Sequence, residues 1–285
     1  MKIKNDKFNN PPKFIATVMI FLTKFYLIFS LVLISCEFKM EPFVVGSVYT
    51  TIGQYPHCIY LAVDCSRPWI CGASILNQKM LITAAHCVNI CDTTDSDHMI
   101  EAYAGHENLE KVISKREVGV IKFHEKYEER SAANDLALAG LKKSLYLGEN
   151  IKRIVISPQF PNVNKGEVAG WGIVDQDRAS TLTILKSVTQ NIRNARVCAR
   201  VGKLHKGMFC AGSTRLEGPH PADGDSGSAL IANDFTQLGL VSFRSRRLPA
   251  LMVYTNITYY YDWIHHNARK LFCQIFNSFP ESDKL

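Results

Sequence analysis

A serine flanked by glycines lies late in the chain, within residues 224–230. Asp225 precedes Ser226, and a glycine follows it. Because glycine adopts backbone angles that other residues resist, this stretch suits a tight turn that presents the Ser226 hydroxyl and converges backbone N–H groups. By itself such a stretch is equally typical of an ordinary surface turn without a catalytic role. Other parts of the chain must therefore decide whether Ser226 is a nucleophile.

Two upstream stretches contain the partners that a serine nucleophile needs. His86 lies between small apolar residues and Cys87, and Asp135 stands at the start of an apolar run. A serine alcohol needs a base within hydrogen-bond reach, and that base needs a carboxylate to set its tautomer. The chain order is His, Asp, Ser, whereas hydrolases with a Gly-x-Ser-x-Gly turn have the order Ser, Asp, His. The pattern predicts a catalytic triad.

Together these stretches resemble the trypsin/chymotrypsin family of serine endopeptidases over about residues 44–268. The resemblance implies an all-β fold of two six-stranded antiparallel Greek-key barrels with a C-terminal α-helix. It also implies hydrolysis through an acyl-enzyme. In that mechanism Ser226 attacks the peptide carbonyl, His86 transfers the proton, and Asp135 orients His86 and stabilises its charged form.

Further positions match supporting residues of the family. Backbone N–H groups of Gly224 and Ser226 would form the oxyanion hole, and Ser242 would hydrogen-bond the triad aspartate. Cleavage before Val44 would free an α-amine that pairs with Asp225, because a buried carboxylate needs a cationic partner. The resemblance therefore predicts a zymogen.

The activation site and the specificity pocket depart from the family pattern. Phe43, rather than Lys or Arg, precedes the cut, so the activating protease would not be tryptic. His220 stands at the pocket floor, where tryptic enzymes have aspartate. Arg244 and Met252 replace pocket glycines, which predicts a shallow S1 pocket for small or medium apolar residues. Two alternatives stay open: Arg244 attracts acidic substrate groups, or the pocket is obstructed and the chain is a weakly active or inactive binding scaffold.

The rest of the chain reads as short strands separated by turn residues, which favours a β-sandwich or barrel. The predicted strands are 59–63, 73–76, 80–83, 103–105, 116–124, 136–141, 167–172, 238–243 and 252–255. Residues 260–272 follow a helical period instead. The expected domains are barrel 1 at about 44–150, barrel 2 at about 151–258, a helix at about 259–272 and a tail at 273–285, all following a short propeptide at 37–43.

Residues 1–36 have the organisation of a signal peptide. A basic, polar start leads into apolar runs that Lys24 separates, and small residues Ser35 and Cys36 stand where cleavage is expected. An uncleaved anchor through residues 14–34 is the alternative, but Lys24 would be costly within a bilayer. The sequence predicts a secreted, extracellular protein, with membrane attachment only if the leader is retained.

Nine cysteines in an exported chain predict disulfides. The resemblance implies Cys71–Cys87 and Cys198–Cys210, with Cys65–Cys91 as a plausible third pair. If Cys36 leaves with the signal, Cys58 and Cys273 remain, and their pairing stays open. The cysteine spacing is not that of a zinc site, and His106 replaces the first carboxylate of the family's calcium loop. Neither a metal nor another cofactor is predicted.

The net charge of +7 is spread along the chain of 285 residues and lies partly in the leader. No run of Lys and Arg is interleaved with aromatic residues, so a nucleic-acid partner is not predicted. The expected partners are a protein or peptide substrate, an activating protease and protein inhibitors. The expected state is a monomer.

Overall fold

The computed structural model describes residues 47–172, 184–215 and 218–279. The strands of the first half are β1 (Val48–Tyr49), β2 (Cys58–Asp64), β3 (Pro68–Asn77), β4 (Met80–Thr83), β5 (Met99–Ala104), β6 (Ser114–Phe123) and β7 (Ala137–Leu141). Those of the second half are β8 (Lys165–Gly170), β9 (Lys186–Asn191), β10 (Met208–Gly212), β11 (Ala229–Ile231), β12 (Gln237–Ser245) and β13 (Leu248–Asn256).

Six strands of the first half close into an antiparallel barrel in the order β2-β3-β4-β7-β6-β5. Side chains point inward at alternate positions, as in a half-buried strand. Ile59, Leu61 and Val63 on β2 show this pattern, and all three are buried. They pack in one apolar core with Ile75 and Leu81 from the neighbouring strands.

The second half forms a seven-stranded antiparallel sheet, β1-β9-β8-β11-β12-β13-β10. A bridge between Ile192 and Ala211 brings the ends of β9 and β10 together. The Arg193 N–H also donates to the Cys210 carbonyl oxygen at 3.0 Å. Six strands therefore curve back on themselves, and β1 adds to β9 from outside. The prediction of an antiparallel two-unit β fold with a C-terminal helix is confirmed.

The C-terminal helix runs Tyr261–Ser278, six residues beyond its predicted end at 272. Ile275 is fully buried and contacts Gly140 of β7, where a larger residue would clash with it. Packing of this last turn against the first barrel therefore extends the helix into the stretch that was expected to be a tail. Within the described residues, no helix is both long and apolar enough to cross a bilayer; the predicted leader lies outside them.

Three disulfides link the pairs implied by the resemblance: Cys65–Cys91, Cys71–Cys87 and Cys198–Cys210. The second of these joins β3 to the short 3-10 turn Ala85–Cys87 that carries His86. The two cysteines whose pairing was open are unpaired: Cys58 is buried and Cys273 is exposed.

Candidate active site

Asp135 and His86 form the centre of the site. The Asp135 carboxylate is completely buried, and Asp135 stands two residues before the start of β7. The His86 Nδ1–H donates to Asp135 Oδ2 at 2.8 Å, and the His86 backbone N–H donates to Asp135 Oδ1 at 3.0 Å. The Ser242 hydroxyl also donates to Oδ2, at 2.6 Å. Three donors thus fix the carboxylate, and the carboxylate fixes which His86 nitrogen carries the proton.

The backbone around Asp135 is held by residues of the second barrel and the chain that follows it. Asn134 has a left-handed φ of 57°, a conformation that Asn tolerates better than most residues. The Tyr260 hydroxyl donates to Asn134 Oδ1 at 2.8 Å, and the Thr255 hydroxyl donates to the Asp135 carbonyl oxygen at 2.8 Å. Sequence reasoning missed these two hydroxyls, because no local pattern connects them with a residue more than a hundred positions away.

Ser226 lies against the part of the first barrel that carries His86. Its carbonyl oxygen accepts from the Gly72 N–H at 2.7 Å and lies 3.6 Å from the sulfur of Cys87. Among the described residues no hydrogen bond joins the Ser226 hydroxyl to His86. Such catalytic hydrogen bonds are often long in free enzymes and shorten only when substrate is bound.

Glycines on both sides of Ser226 are required by the turn. Gly224 and Gly227 have φ values of +96° and +80°, which disfavour any side chain. A Cβ at Gly224 would lie 2.6 Å from Ile70, and one at Gly227 would clash with the backbone of Gly72. In the described part of the chain, the N–H groups of Gly224 and Ser226 donate to no protein acceptor.

Burial and charge oppose each other at the pair. Burial alone lowers the pKa of His86, but the Asp135 charge and its hydrogen bond outweigh this and raise that pKa above the ordinary value. Burial alone raises the pKa of Asp135, but the facing imidazole and three hydrogen bonds bring it below the ordinary value. The pair therefore favours a carboxylate beside an imidazole that protonates readily.

Asp225 is also buried, and burial raises the pKa of its carboxyl to about 6. Two backbone donors oppose this rise: Gly172 N–H at 2.7 Å from Oδ1 and Ala222 N–H at 2.8 Å from Oδ2. Val44, the predicted ionic partner of Asp225, lies outside the described residues.

The predicted pocket residues lie on three segments: the loop before Ser226, β12 and β13. His220 is half-buried, and its Nδ1–H donates to the Gly218 carbonyl oxygen at 2.7 Å. Met252 is buried, opposite Arg244 on β12 and Ala211 on β10. The Arg244 side chain is 39% exposed, and its Nη2 lies 2.8 Å from Asp223 Oδ1. Asp223 was missed from the sequence, although a carboxylate three residues before Ser226 is a visible counter-charge.

One group of residues has the composition of a metal site: Cys71, His86 and Cys87 offer three ligand atoms within 4.8 Å of one another. The two sulfurs are joined as a disulfide, so neither can act as the thiolate that a metal requires. The cluster is therefore a disulfide beside His86 and not a metal site.

Comparison with known proteins decides the family. The family model described as Trypsin matches residues 44–264. The chain belongs to the trypsin family. It is 29% identical over 238 residues to the trypsin Tyr p 3.0101 of Tyrophagus putrescentiae, covering 80% of this chain and 81% of that protein. It is 31% identical over 240 residues to trypsin delta of Drosophila erecta, covering 81% and 90%.

Human kallikrein-4 is 30% identical over 228 residues, covering 72% of this chain and 85% of that protein. Among solved structures, HL collagenase aligns with a TM-score of 0.68 at 23% identity over 79% of this chain and 98% of that one. The scabies mite inactivated protease paralogue S-D1 aligns with a TM-score of 0.69 at 23% identity, covering 79% and 97%. These two likenesses concern the fold alone. Membership of the trypsin family makes this protein a serine endopeptidase, a hydrolase of peptide bonds.

Proposed function

We propose that this trypsin-family protein is secreted as a zymogen and cleaves peptide bonds through Ser226, His86 and Asp135. The observation that supports this most directly is the buried Asp135 carboxylate, which accepts three hydrogen bonds, two of them from His86. A buried carboxylate so oriented holds the imidazole with Nδ1 protonated, which leaves Nε2 as the base.

In the proposed reaction, Ser226 Oγ attacks the scissile carbonyl carbon while His86 Nε2 accepts the hydroxyl proton. The backbone N–H groups of Gly224 and Ser226 stabilise the oxyanion, each contributing about 3 kcal/mol. His86 then donates the proton to the departing amine, which leaves an ester on Ser226. Water, deprotonated by His86, hydrolyses that ester and restores the enzyme.

Activation is proposed to occur by cleavage between Phe43 and Val44. The carboxyl of Asp225 is buried with a raised pKa of about 6, so a cationic partner would stabilise its charged form. The new α-amine of Val44 would supply that cation. Because Asp225 directly precedes Ser226, the ion pair would set the conformation of the oxyanion loop.

A fluorophosphonate probe tests this function directly. The secreted domain is made with an engineered cleavage site before Val44 and labelled before and after cleavage. We expect labelling that requires cleavage and is absent from Ser226→Ala and His86→Ala variants. If the cleaved, folded domain does not react, the triad is inactive, and the chain acts as a binding scaffold.

The S1 pocket is proposed to accept small or medium apolar side chains. The buried Met252 side chain would occupy space that a deeper pocket needs. His220 stands where a tryptic pocket has an acidic residue at its floor. The Arg244–Asp223 ion pair joins β12 to the loop before Ser226, so it spans the proposed pocket mouth and cancels the Arg244 charge.

Removing the counter-charge is expected to change substrate preference. In Asp223→Asn, the unpaired Arg244 guanidinium should attract a substrate carboxylate. The ratio of kcat/KM for glutamate over glutamine at the cleaved position should rise about two- to fivefold, the size of one exposed ion pair. Chromogenic peptides that differ only in that residue measure the ratio. The gain should vanish in the double variant Asp223→Asn/Arg244→Gly and at high salt; if it survives the double variant, Arg244 is not its cause.

The pH dependence follows from the raised pKa of His86. Since only neutral His86 can act as the base, kcat/KM should fall as pH decreases through a value above the ordinary histidine pKa of about 6.5. Before it gains an α-amine partner, Asp225 has a pKa raised to about 6, so NMR of His86 in Ser226→Ala is used to follow His86 alone. Asp135→Asn in that background should lower the His86 pKa, because burial then acts without the opposing charge. A His86 pKa below 6.5 with Asp135 intact would contradict this account.

The division of the chain into signal, propeptide and protease domain is also proposed. Residues 1–36 form a cleaved signal and 37–43 a propeptide, and residues 44–272 form the protease domain, which acts as a monomer on protein substrates. Release of the domain from expressing cells, with its N-terminus after Cys36, tests the signal. Cell-retained protein that still carries residues 14–34 would instead identify a membrane anchor.

A further inference from the structure

A groove of about 1130 Å³ lies away from the triad, between the segment that connects the two barrels and one face of the C-terminal helix. None of the triad, oxyanion-loop or S1 residues lines it. Its apolar side chains include Leu147, Val155 and Phe272, which are 37%, 49% and 46% exposed. Single exposed apolar residues are ordinary, but several in one concavity are typical of a binding surface.

The connecting segment that forms the floor is held by both barrels. The N–H of Lys152 donates to the Pro56 carbonyl oxygen at 2.9 Å, and the N–H of Ile154 donates to the Ile75 carbonyl oxygen at 2.7 Å. Val155 pairs through its backbone with the second barrel, donating to the Phe235 carbonyl oxygen at 3.0 Å. These hydrogen bonds hold the segment in place without a ligand, so the groove is already formed in the free protein.

The charged side chains that line the groove are basic. Lys152, Arg153, His265 and Arg269 line it, and all four are exposed. No aspartate or glutamate is among its lining residues in the part of the chain that the structure describes. Within that same part, none of Lys152, Arg153 and Arg269 forms a salt bridge. Among the described residues, the basic groups therefore surround an apolar floor and have no salt-bridge partner.

We propose that this groove is a docking site for an acidic peptide segment of a partner protein, in which aspartate or glutamate flanks two or more apolar side chains. The apolar side chains would cover Leu147, Val155 and Phe272, and the carboxylates would pair with Arg153 and Arg269. Nucleic acid is a poorer match, because its phosphate backbone would not cover the apolar floor. Docking here leaves the triad open, so the partner could be either a substrate held at a second point or a regulator.

Selection from a random peptide library displayed on phage tests the proposal. The target is the full chain carrying Ser226→Ala, which prevents cleavage of bound peptides. We expect the selected peptides to be rich in acidic and apolar residues. Arg153→Glu/Arg269→Glu should weaken their binding about tenfold or more. The control Arg196→Glu/Arg200→Glu makes the same charge change at two exposed positions outside the groove and should leave binding unchanged.

Cys273 gives a second, independent readout. It is an exposed free thiol in the groove, whereas the other unpaired cysteine that the structure describes, Cys58, is buried. A bound peptide should therefore slow alkylation of Cys273 by iodoacetamide. The proposal is overturned if no peptide is enriched, if the enriched peptides lack acidic residues, or if they bind the Arg153/Arg269 variant as tightly as the control. None of these readouts depends on catalysis, so they stand whether or not the triad is active.

Discussion

Asp135→Asn is expected to lower kcat by about 10⁴-fold, the loss known for the corresponding change in enzymes with this triad. The carboxylate accepts from three donors: His86 N–H, His86 Nδ1–H and the Ser242 hydroxyl. Asparagine has the same shape but presents an NH₂ group in place of one oxygen. If that NH₂ faces His86, Nδ1 must become an acceptor and the proton moves to Nε2. The nitrogen that should accept the Ser226 proton is then already protonated.

The measurement is kcat on a peptide substrate, with fluorophosphonate labelling of Ser226 as a second readout. Asp262→Asn, which removes an exposed carboxylate on the C-terminal helix, controls for loss of charge and should retain full activity. The variant should fold, because asparagine fills the same space as aspartate. A loss of less than about tenfold would show that Asp135 does not set the His86 tautomer.

Met252→Gly is expected to produce the largest change in specificity. Met252 is 3% exposed and packs with Val241 and Tyr254, at the position where the family has a pocket glycine. Removing its side chain should open space for a large aromatic group at the cleaved residue. Since one methylene changes discrimination by about 1–3 kcal/mol, the ratio of kcat/KM for phenylalanine over alanine should rise about a hundredfold.

The substitution also leaves a cavity, so its cost to stability must be separated from its effect on specificity. Loss of a buried methionine side chain costs about 2–5 kcal/mol. Met80→Gly is the matched control, because Met80 is completely buried in a different apolar cluster that contains no pocket residue. It should lower stability similarly and leave the phenylalanine-to-alanine ratio unchanged. If the phenylalanine-to-alanine ratio rises equally in both variants, the change in specificity is caused by a general loosening of the fold.

Much of the site could be anticipated because its chemistry is written in short local patterns. The turn around Ser226 needs glycine at two positions of positive φ, and His86 is adjacent to a disulfide cysteine. Strand β4 appears where predicted, at Met80–Thr83, because its four residues are apolar or β-branched and all are buried. Such features depend on neighbours in sequence, so a sequence contains them directly.

Other features were not predictable, because they arise from contacts between distant segments. β11 is three residues long and is stabilised by pairing with β8 and β12 rather than by any propensity of its own. The last turn of the C-terminal helix exists because Ile275 reaches the first barrel. The ion pair between Arg244 and Asp223 joins side chains that are 21 positions apart in the chain.

The sequence by itself determined the kind of chemistry: a serine, a histidine and an aspartate in a fixed order, with glycines where the backbone must turn. The resemblance to a known family also implied which cysteines pair. Only the tertiary structure decided the direction of each side chain: which donors surround Asp135, which carboxylate neutralises Arg244, and which basic and apolar residues form the groove beside the C-terminal helix. Chain order specifies what is available, whereas hydrogen bonds and charges act over a few ångströms, and only folding determines which groups come that close.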